Sequence, residues 1–216
     1  MKYLSLILLL IFSINTAYAQ DKLELPIATF SSGDLTEWKS KLFSGTTRYK
    51  IVPIDNSLAL RAESDSSASG LYKEQRIDLH KTPFLNWRWR IDTPLKGLNE
   101  QSKSGDDFSA RIYIVVSGGW FFWNSKAINY VWAGNTAKGT VWPNAFVGKN
   151  AMMVAVRSNT DATHTWYPEK RNILNDLKNL FGSDIRYIDA VALMTDTDNS
   201  KRNTVAYYGD IYFSAE

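Results

Sequence analysis

Arginine and tyrosine side chains alternate with apolar residues in several short segments. Successive side chains of a strand point to opposite faces, so Trp87 and Trp89 would enter a core while Arg88 lies outside. If the strands are neighbours, one polar face would collect side chains that suit carboxylates and sugar hydroxyls: Arg88, Arg90, Arg111, Tyr113 and Arg157. The alternative is a solvated face of cross-strand Arg and Asp pairs, with Asp107 among the acids.

Aromatic side chains form a second group with binding potential. Four aromatic residues follow one another from Trp120 to Trp123, and an alternating strand cannot bury all of them. An exposed indole offers a flat apolar surface to a sugar ring. Trp142, beyond a Gly-containing loop, would add a second aromatic wall. We interpret Trp120, Trp123 and Trp142 as stacking residues, and a lid folded over the core is the alternative.

Catalytic groups are few. His80 and His164 are the only histidines, so a multi-histidine metal centre is excluded and a Ser-His-Asp triad would need one of them. His164 lies near Arg157 in the sequence and could remove a proton beside a sugar carboxylate, with Tyr113 assisting. A polysaccharide lyase is therefore the enzyme alternative, and a surface histidine is the structural one.

Oxygen-rich side chains mark a candidate metal site at Asp196, Asp198 and Asp210. An EF-hand would need Gly and Glu where this chain has Lys201 and Tyr207, so that motif is excluded. A structural calcium site of another type and a metal-free Asx turn both remain open. We expect no other cofactor.

Composition limits the functional classes. The chain has 216 residues, 44% of them apolar, 22% charged and none cysteine, which indicates one folded domain without disulfides. The net charge of +3 is spread along the chain, and no phosphate-binding Gly loop or basic aromatic RNA motif occurs. Nucleic-acid partners are therefore not expected.

Short β-rich segments separated by turn residues predict the fold. The predicted strands are Arg48–Ile54, Ser57–Glu63, Gly70–Leu79, Phe84–Ile91, Asp107–Val116, Ala127–Trp132, Ala151–Ser158, Ile185–Met194 and Thr204–Phe213. Apolar spacing predicts one helix at Pro168–Leu180, and Lys96–Asp106 and Ala133–Lys149 are predicted loops. We therefore expect an all-β, antiparallel, jelly-roll-like β-sandwich with one short helix.

The N-terminal segment has the pattern of a signal peptide. Lys2 precedes the apolar stretch Leu4–Ile14, and Ala17-Tyr18-Ala19 is a small-x-small cleavage site. We expect residues 1–19 to be removed, leaving a single domain of residues 20–216 in the periplasm or outside the cell. No later segment is apolar enough to span a membrane.

Ordered motifs along the chain carry a family resemblance. They are Trp87–Trp89, Gly105–Tyr113, Ile128–Trp132, Trp142–Ala145, Val154–Ser158, Arg171–Ile173 with Asp176 and Phe181-Gly182, Met194–Asn199 and Tyr208–Ile211. Together they resemble the secreted bacterial domain-of-unknown-function family numbered 3047. The resemblance implies an exported single domain and no known chemistry. Phe30–Gly33 and the strand Gly209–Phe213 are more loosely similar to jelly-roll carbohydrate-binding modules.

These observations favour an exported, non-catalytic module that binds a glycan or another hydroxyl- or carboxylate-bearing envelope ligand. The expected partner is thus a glycan or an acidic small ligand. Two alternatives remain: a polysaccharide lyase or related carbohydrate-active enzyme, and an envelope protein-interaction domain whose aromatic loop docks a protein partner or a lipid surface.

Overall fold

The structure is a computed structural model that describes residues 23–118 and 125–216. Its strands, in chain order, are β1 (Glu24–Ala28), β2 (Lys39–Ser44), β3 (Arg48–Ile54), β4 (Ser57–Asp65), β5 (Ala68–Asp78), β6 (Phe84–Ile91), β7 (Ala110–Val116), β8 (Lys126–Trp132), β9 (Val141–Asn144), β10 (Gly148–Arg157), β11 (Tyr167–Asn172), β12 (Tyr187–Asp196) and β13 (Asn203–Ser214). One helix, α1 (Ile173–Phe181), lies between β11 and β12.

The strands form two sheets that pack face to face. Sheet A has the order β11-β6-β13-β4-β3, with β1 also paired to β13, and sheet B has the order β2-β5-β12-β7-β8-β10-β9. All the paired strands are antiparallel except β8 and β10, which are parallel. The predicted β-sandwich with one short helix is confirmed, and this parallel pair is its one departure from antiparallel order among the described strands.

The core lies between the sheets, as the alternating pattern predicts. Trp87 and Trp89 project inward from β6, and their rings meet edge to face at 5.4 Å between centroids. Tyr130 of β8 comes from the other sheet to pack on Trp87 at 5.5 Å. Large aromatic rings from both sheets therefore join the layers through apolar burial and ring contact. The outer face of each sheet points away from this core.

The turn between β3 and β4 also follows the sequence. Asp55 and Asn56 have φ values of 49° and 63°, so both occupy the left-handed region. A two-residue hairpin turn with positive φ at both positions matches the twist of antiparallel strands, and Asp and Asn tolerate that conformation. The predicted strand Arg48–Ile54 coincides with β3 for this reason.

The helix begins five residues later than predicted. Pro168 to Asn172 extend as β11 and pair with β6, so strand pairing replaces the helical turn there. Asn172 then caps the helix, because its side-chain oxygen accepts a hydrogen bond from the backbone N–H of Asn175. Gly182, with a φ of 65°, ends the helix in the left-handed conformation.

The two predicted loops are more ordered than their composition indicates. Lys96–Asp106 contains a short 3-10 turn at Lys103–Gly105, and Ala133–Lys149 contains β9. Glu100, 1% exposed, joins them, because its carboxylate accepts hydrogen bonds from the backbone N–H groups of Gly134, Asn135 and Thr136. A Cβ at Gly134 would lie 1.3 Å from the carbonyl oxygen of Leu95, so this close approach requires glycine.

Within residues 23–118 and 125–216, no helix has the length and apolar character that a bilayer crossing requires.

Candidate functional site

The predicted arginines do not share one face. Arg88 and Arg90 lie on β6 in sheet A, whereas Arg111 and Tyr113 lie on β7 in sheet B. In each strand these side chains point away from the core, as the alternation predicts. The expectation of a common face is wrong because β6 and β7 belong to different sheets, and strand order is a property that alternation does not encode.

Arg157 is separated from both groups by a β-bulge at the end of β10. The register of β10 against β8 shifts between Ala155 and Arg157, so Arg157 pairs with Trp132, whose ring faces the core. Its guanidinium makes ion pairs with Asp161 and with Glu169 of β11. Arg157 therefore joins sheet B to sheet A, and it does not reach the outer face of either one.

A groove with a volume of about 450 Å³ lies on the outer face of sheet B. Its floor is formed in part by the small side chains of Ala68, Ala127 and Ala151, which leave the sheet surface recessed. Phe43, Phe146 and Val147 also line the groove, and they are 66%, 53% and 58% exposed. Large apolar side chains are rarely left this accessible together without a binding role.

An ion pair closes the polar end of the groove. The guanidinium of Arg111 donates to both carboxylate oxygens of Asp196 and to the backbone carbonyl of Asp106. Arg111 is 4% exposed and Asp196 is 1% exposed. Because protein acceptors already satisfy this guanidinium, Arg111 shapes the groove and does not present a free cation to an anionic ligand.

Burial controls the protonation of the acids at this end. Burial raises the pKa of Asp196 to about 7, and the charge of Arg111 opposes that shift. Burial also raises the pKa of Asp106, again against the effect of Arg111. Tyr113 lines the same groove and donates from its hydroxyl to the Met194 sulfur at 3.4 Å, and burial raises the pKa of this phenol.

Two asparagines add amide groups to the groove. Asn129 of β8 is 2% exposed, and within the described part of the chain its Oδ1 atom has no hydrogen-bond partner. Buried polar atoms are normally paired, so this oxygen is an acceptor available to a ligand donor. Asn144 donates from Nδ2 to Asp106 at 3.0 Å and accepts from the backbone N–H groups of Phe146 and Val147. The Asn144 side chain thus links the turn that carries Phe146 and Val147 to Asp106.

Of the three predicted stacking residues, Trp142 lies within the described part of the chain. Trp142 is 3% exposed and packs in a small cluster with Phe108, at 6.3 Å between ring centroids, so it is not the exposed wall that we expected. Its position on β9 turns the ring onto the sheet, and Phe146 in the following turn is exposed instead. Trp120 and Trp123 lie outside the described residues, and their stacking role stays a prediction.

The residues of the lyase alternative are not assembled. The side chain of His164 is 61% exposed, and its Nδ1 atom lies 3.0 Å from Asp92, next to Arg90. The backbone N–H of His164 donates to Ile91 at the end of β6 in sheet A. Tyr113 lines the groove on the outer face of sheet B, so these two side chains serve different surfaces.

The acidic cluster differs from the predicted metal set. Oxygens of Asp107, Asp196 and Asp198 lie within 4.8 Å of one another and could hold a metal ion. Asp210 is not part of this cluster, since its carboxylate accepts hydrogen bonds from the backbone N–H and the hydroxyl of Ser31. Its strand, β13, lies in sheet A, which separates it from the end of β12.

The hydrogen bonds of the cluster argue against calcium. Asp107 accepts from the backbone N–H groups of Asn199 and Ser200, and Asp196 accepts from Arg111. A cation among these oxygens would compete with donors already in place and would meet a guanidinium. The residues fit an acid cluster stabilised by N–H donors better than a calcium site.

Several groove residues were missed by the sequence analysis. Asn129 had a readable signal, because it is a polar residue between the apolar residues Ile128 and Tyr130 of a buried strand. Asn144 follows a proline at the end of β9 and has a weaker signal. Phe43 and Phe146 could not be found, because an isolated aromatic residue in sequence gives no information about its exposure.

Comparisons with known proteins support this architecture. The family model described as "Protein of unknown function (DUF3047)" matches residues 36–212, and the chain belongs to that family. A family 30 carbohydrate-binding module of a cellulosomal cellulase from Clostridium thermocellum is similar in structure, with a TM-score of 0.53 and 10% identity over 90% of this chain and 98% of that one. The cellulose-induced protein Cip1 has a TM-score of 0.50 and 9% identity over 90% and 97% of the two chains.

At these identities the two likenesses establish a shared β-sandwich fold. No curated protein sequence matches the chain.

Proposed function

We propose that this member of the DUF3047 family is an exported, non-catalytic module that binds a neutral glycan in the groove on the outer face of sheet B. The observation that carries the proposal is the groove itself. Exposed Phe43 and Phe146 stand beside a recessed floor of small residues, with amide and carboxylate groups at one end. Apolar ring faces suit the C–H surfaces of a sugar, and the polar end suits its hydroxyls.

Charge favours a neutral ligand over an acidic one. Three acids, Asp106, Asp196 and Asp198, line the groove, and Arg111 is the one cation among its described lining residues. The Lys103 ammonium lies at the edge of the groove, 5.5 Å from the centroid of the Phe146 ring. Arg111 is engaged by Asp196 and Asp106, so an added carboxylate would meet acids without a free guanidinium to receive it. Sugar hydroxyls, in contrast, can donate to Asn129 Oδ1 and to the carboxylate of Asp198.

The same contacts support binding over catalysis. A general acid must present its proton to the substrate, and the raised pKa of Asp196 would by itself suit that role. Both of its oxygens are engaged by Arg111, however, and the residue is almost fully buried. A glycosidase also needs two carboxylates on opposite sides of the bond to be cleaved, whereas these acids cluster at one end.

The fold is consistent with this role, because the similar structures include a protein named as a carbohydrate-binding module. Export rests on the signal-peptide pattern of residues 1–19. Cell fractionation would test it, with the mature protein expected in the periplasm or the medium and not in the cytoplasm.

The proposal can be tested with residues 20–216 on an array of neutral and acidic oligosaccharides, followed by calorimetry on the ligands that bind. We expect neutral glycans to bind and Phe146→Ala to weaken binding about tenfold. Loss of an aromatic side chain that stacks on a nucleic-acid base costs about 1–3 kcal/mol, and we expect a similar cost for stacking on a sugar ring. Asn129→Ala should weaken binding similarly through loss of an acceptor.

Leu23→Ala is the matched control, because Leu23 is 53% exposed beside the end of β13 in sheet A. It should leave affinity unchanged. The site is misplaced if Phe146→Ala and Asn129→Ala both keep the affinity of the unmodified protein for its array ligands. Absence of any neutral glycan ligand would remove the proposed function.

A further inference from the structure

The outer face of sheet A contains an arginine whose surroundings differ from those of every other arginine. Of the ten arginines, eight donate to a carboxylate or a backbone carbonyl and Arg76 forms an ion pair with Asp189 at 3.6 Å. Within residues 23–118 and 125–216, Arg88 makes no hydrogen bond or ion pair with the protein. Its donors are therefore open to a ligand.

Arg88 is nevertheless held in place. The ring of Trp166 lies against its guanidinium, at 4.9 Å from the ring centroid to Cζ. Trp166 is itself fixed, because its indole N–H donates to Asp55 at 2.9 Å. Gly209 leaves room for the arginine stem, since a Cβ there would lie 2.4 Å from Arg88 Cγ. Such a fixed planar fork loses little conformational freedom on binding.

The guanidinium opens onto a groove of about 460 Å³ between β11, β6 and β13. Lys170 lines the same groove, and its ammonium lies 4.7 Å from the centroid of the Phe84 ring. Among the described residues Lys170 has no carboxylate within ion-pair distance, so it adds a second unpaired positive charge. The other polar residues that line the groove are Asn86, Glu169, Asp210 and Tyr212. The Glu169 carboxylate already accepts hydrogen bonds from Arg157 and from the Trp89 indole.

We infer that this groove binds the carboxylate of an acidic saccharide, with Arg88 as the residue that receives it. A planar guanidinium pairs with a planar carboxylate through two parallel hydrogen bonds. Asp210 lies in the same groove as an acceptor, which suits a ligand that carries hydroxyl donors next to one carboxylate, as a uronate unit does. A densely acidic peptide would bring further negative charge against Asp210. This site is independent of the neutral-glycan groove on sheet B.

The test uses trisaccharides of galacturonate, glucuronate and mannuronate, each compared with the same trisaccharide whose carboxylates are reduced to alcohols. We expect at least one uronate to bind the protein of residues 20–216 and its reduced form not to bind at this site. Binding should weaken with added salt, because a partly exposed charge pair is screened.

Arg88→Gln should lower uronate affinity about tenfold or more, as expected for loss of hydrogen bonds to a charged group. Arg88→Lys keeps the positive charge and loses the planar guanidinium. Its uronate affinity should lie between that of the unmodified protein and that of Arg88→Gln. Arg76→Gln is the control, because Arg76 is an exposed arginine on β5 of sheet B. Since Arg88 has no polar protein partner in the described ranges, its substitution should keep the unfolding midpoint.

Equal uronate affinity in Arg88→Gln and the unmodified protein would overturn the assignment. So would the absence of binding by all three uronates, or a peptide of aspartate and glutamate that binds more tightly than any of them. Phe146→Ala separates this site from the one on sheet B, because it should weaken neutral glycans and leave uronate binding intact.

Discussion

At the scale of single residues, Arg111 is predicted from the sequence to bind a ligand, whereas in the fold it has a structural role. Its guanidinium is enclosed by Asp196 and Asp106, and it holds two buried carboxylates at the end of the groove. Arg88 differs from Arg111, because none of the described carboxylates pairs with its guanidinium, which lies against the Trp166 ring. Alternation predicted that both arginines point away from the core, and only the neighbouring strands decide what each one meets.

Arg111→Met should therefore destabilise the protein strongly. Removing one partner of a buried pair leaves the other charge uncompensated, which costs about 3–5 kcal/mol. Denaturant unfolding of the purified domain would measure this loss. The double variant Arg111→Met with Asp196→Leu should recover most of it, because an apolar pair replaces the ion pair. A single variant that costs less than about 1 kcal/mol would contradict the structural role of Arg111.

At the scale of elements, the sequence predicts strands well where one face is buried. β6 has the expected bounds because large apolar residues alternate with arginines, and β3 ends where Asp55 and Asn56 form the turn. β2 was missed because it lies at the edge of sheet B with mostly exposed side chains, so no periodicity marks it. The start of α1 was displaced because pairing of β11 with β6 outweighs a local helical pattern.

The groove on sheet B depends on contacts between loops, and the pattern of apolar residues in the sequence does not predict these contacts. Glu100 ties the segment before β7 to the loop that precedes β9, and the turn after β9 carries Phe146. Because these hydrogen bonds are long range, sequence reasoning found the strands beneath the groove and missed most of its lining. The candidate site was therefore predicted in part: Arg111 and Tyr113 line it, whereas Phe43, Phe146, Asn129 and Asn144 were absent from the prediction.

Glu100→Gln tests this connection. The amide would present an N–H₂ group to backbone donors that now meet a carboxylate, and loss of charge-assisted hydrogen bonds costs about 1.5–3 kcal/mol. Unfolding in denaturant should show that loss, and glycan affinity should fall as the β9 region loosens. Glu74→Gln is the control, because the Glu74 side chain is 63% exposed and solvent screens its ion pair with Lys39, so this pair should contribute little to stability. Equal stability of the two variants would refute the anchoring role of Glu100.

At the scale of the whole molecule, the β-sandwich separates two surfaces of different character. The groove on sheet B combines apolar walls with buried acids, whereas the groove on sheet A combines aromatic rings with two cations that pair with none of the described carboxylates. The core between them is built from aliphatic and aromatic residues of both sheets, so the outer faces can vary without loss of this core. In the proposed scheme, one exported domain binds a neutral saccharide on sheet B and an acidic saccharide on sheet A. Added salt should weaken only the binding of the acidic saccharide.

The stability of the whole fold should depend on pH because of its buried acids. The pKa of Asp196 in the folded protein is about 7, above its ordinary value of 3.8, because burial disfavours the charged form. A raised folded pKa means that the folded state binds the proton more tightly than the unfolded state does. The stabilising contribution is therefore complete below pH 3.8 and is lost as the pH rises through about 7.

Other carboxyls act in the opposite direction but in a lower range, since Arg186 holds the pKa of Asp78 at about 2 and Arg48 and Arg61 lower that of Glu63. Their contribution is already present above about pH 5. Between about pH 5 and pH 7 we therefore expect the free energy of unfolding to decrease as the pH rises. Asp196→Asn should reduce this slope whatever its effect on absolute stability, because it removes one of the two buried acids, Asp196 and Asp106, whose pKa is raised. A slope that is unchanged in Asp196→Asn would show that the proton is held elsewhere.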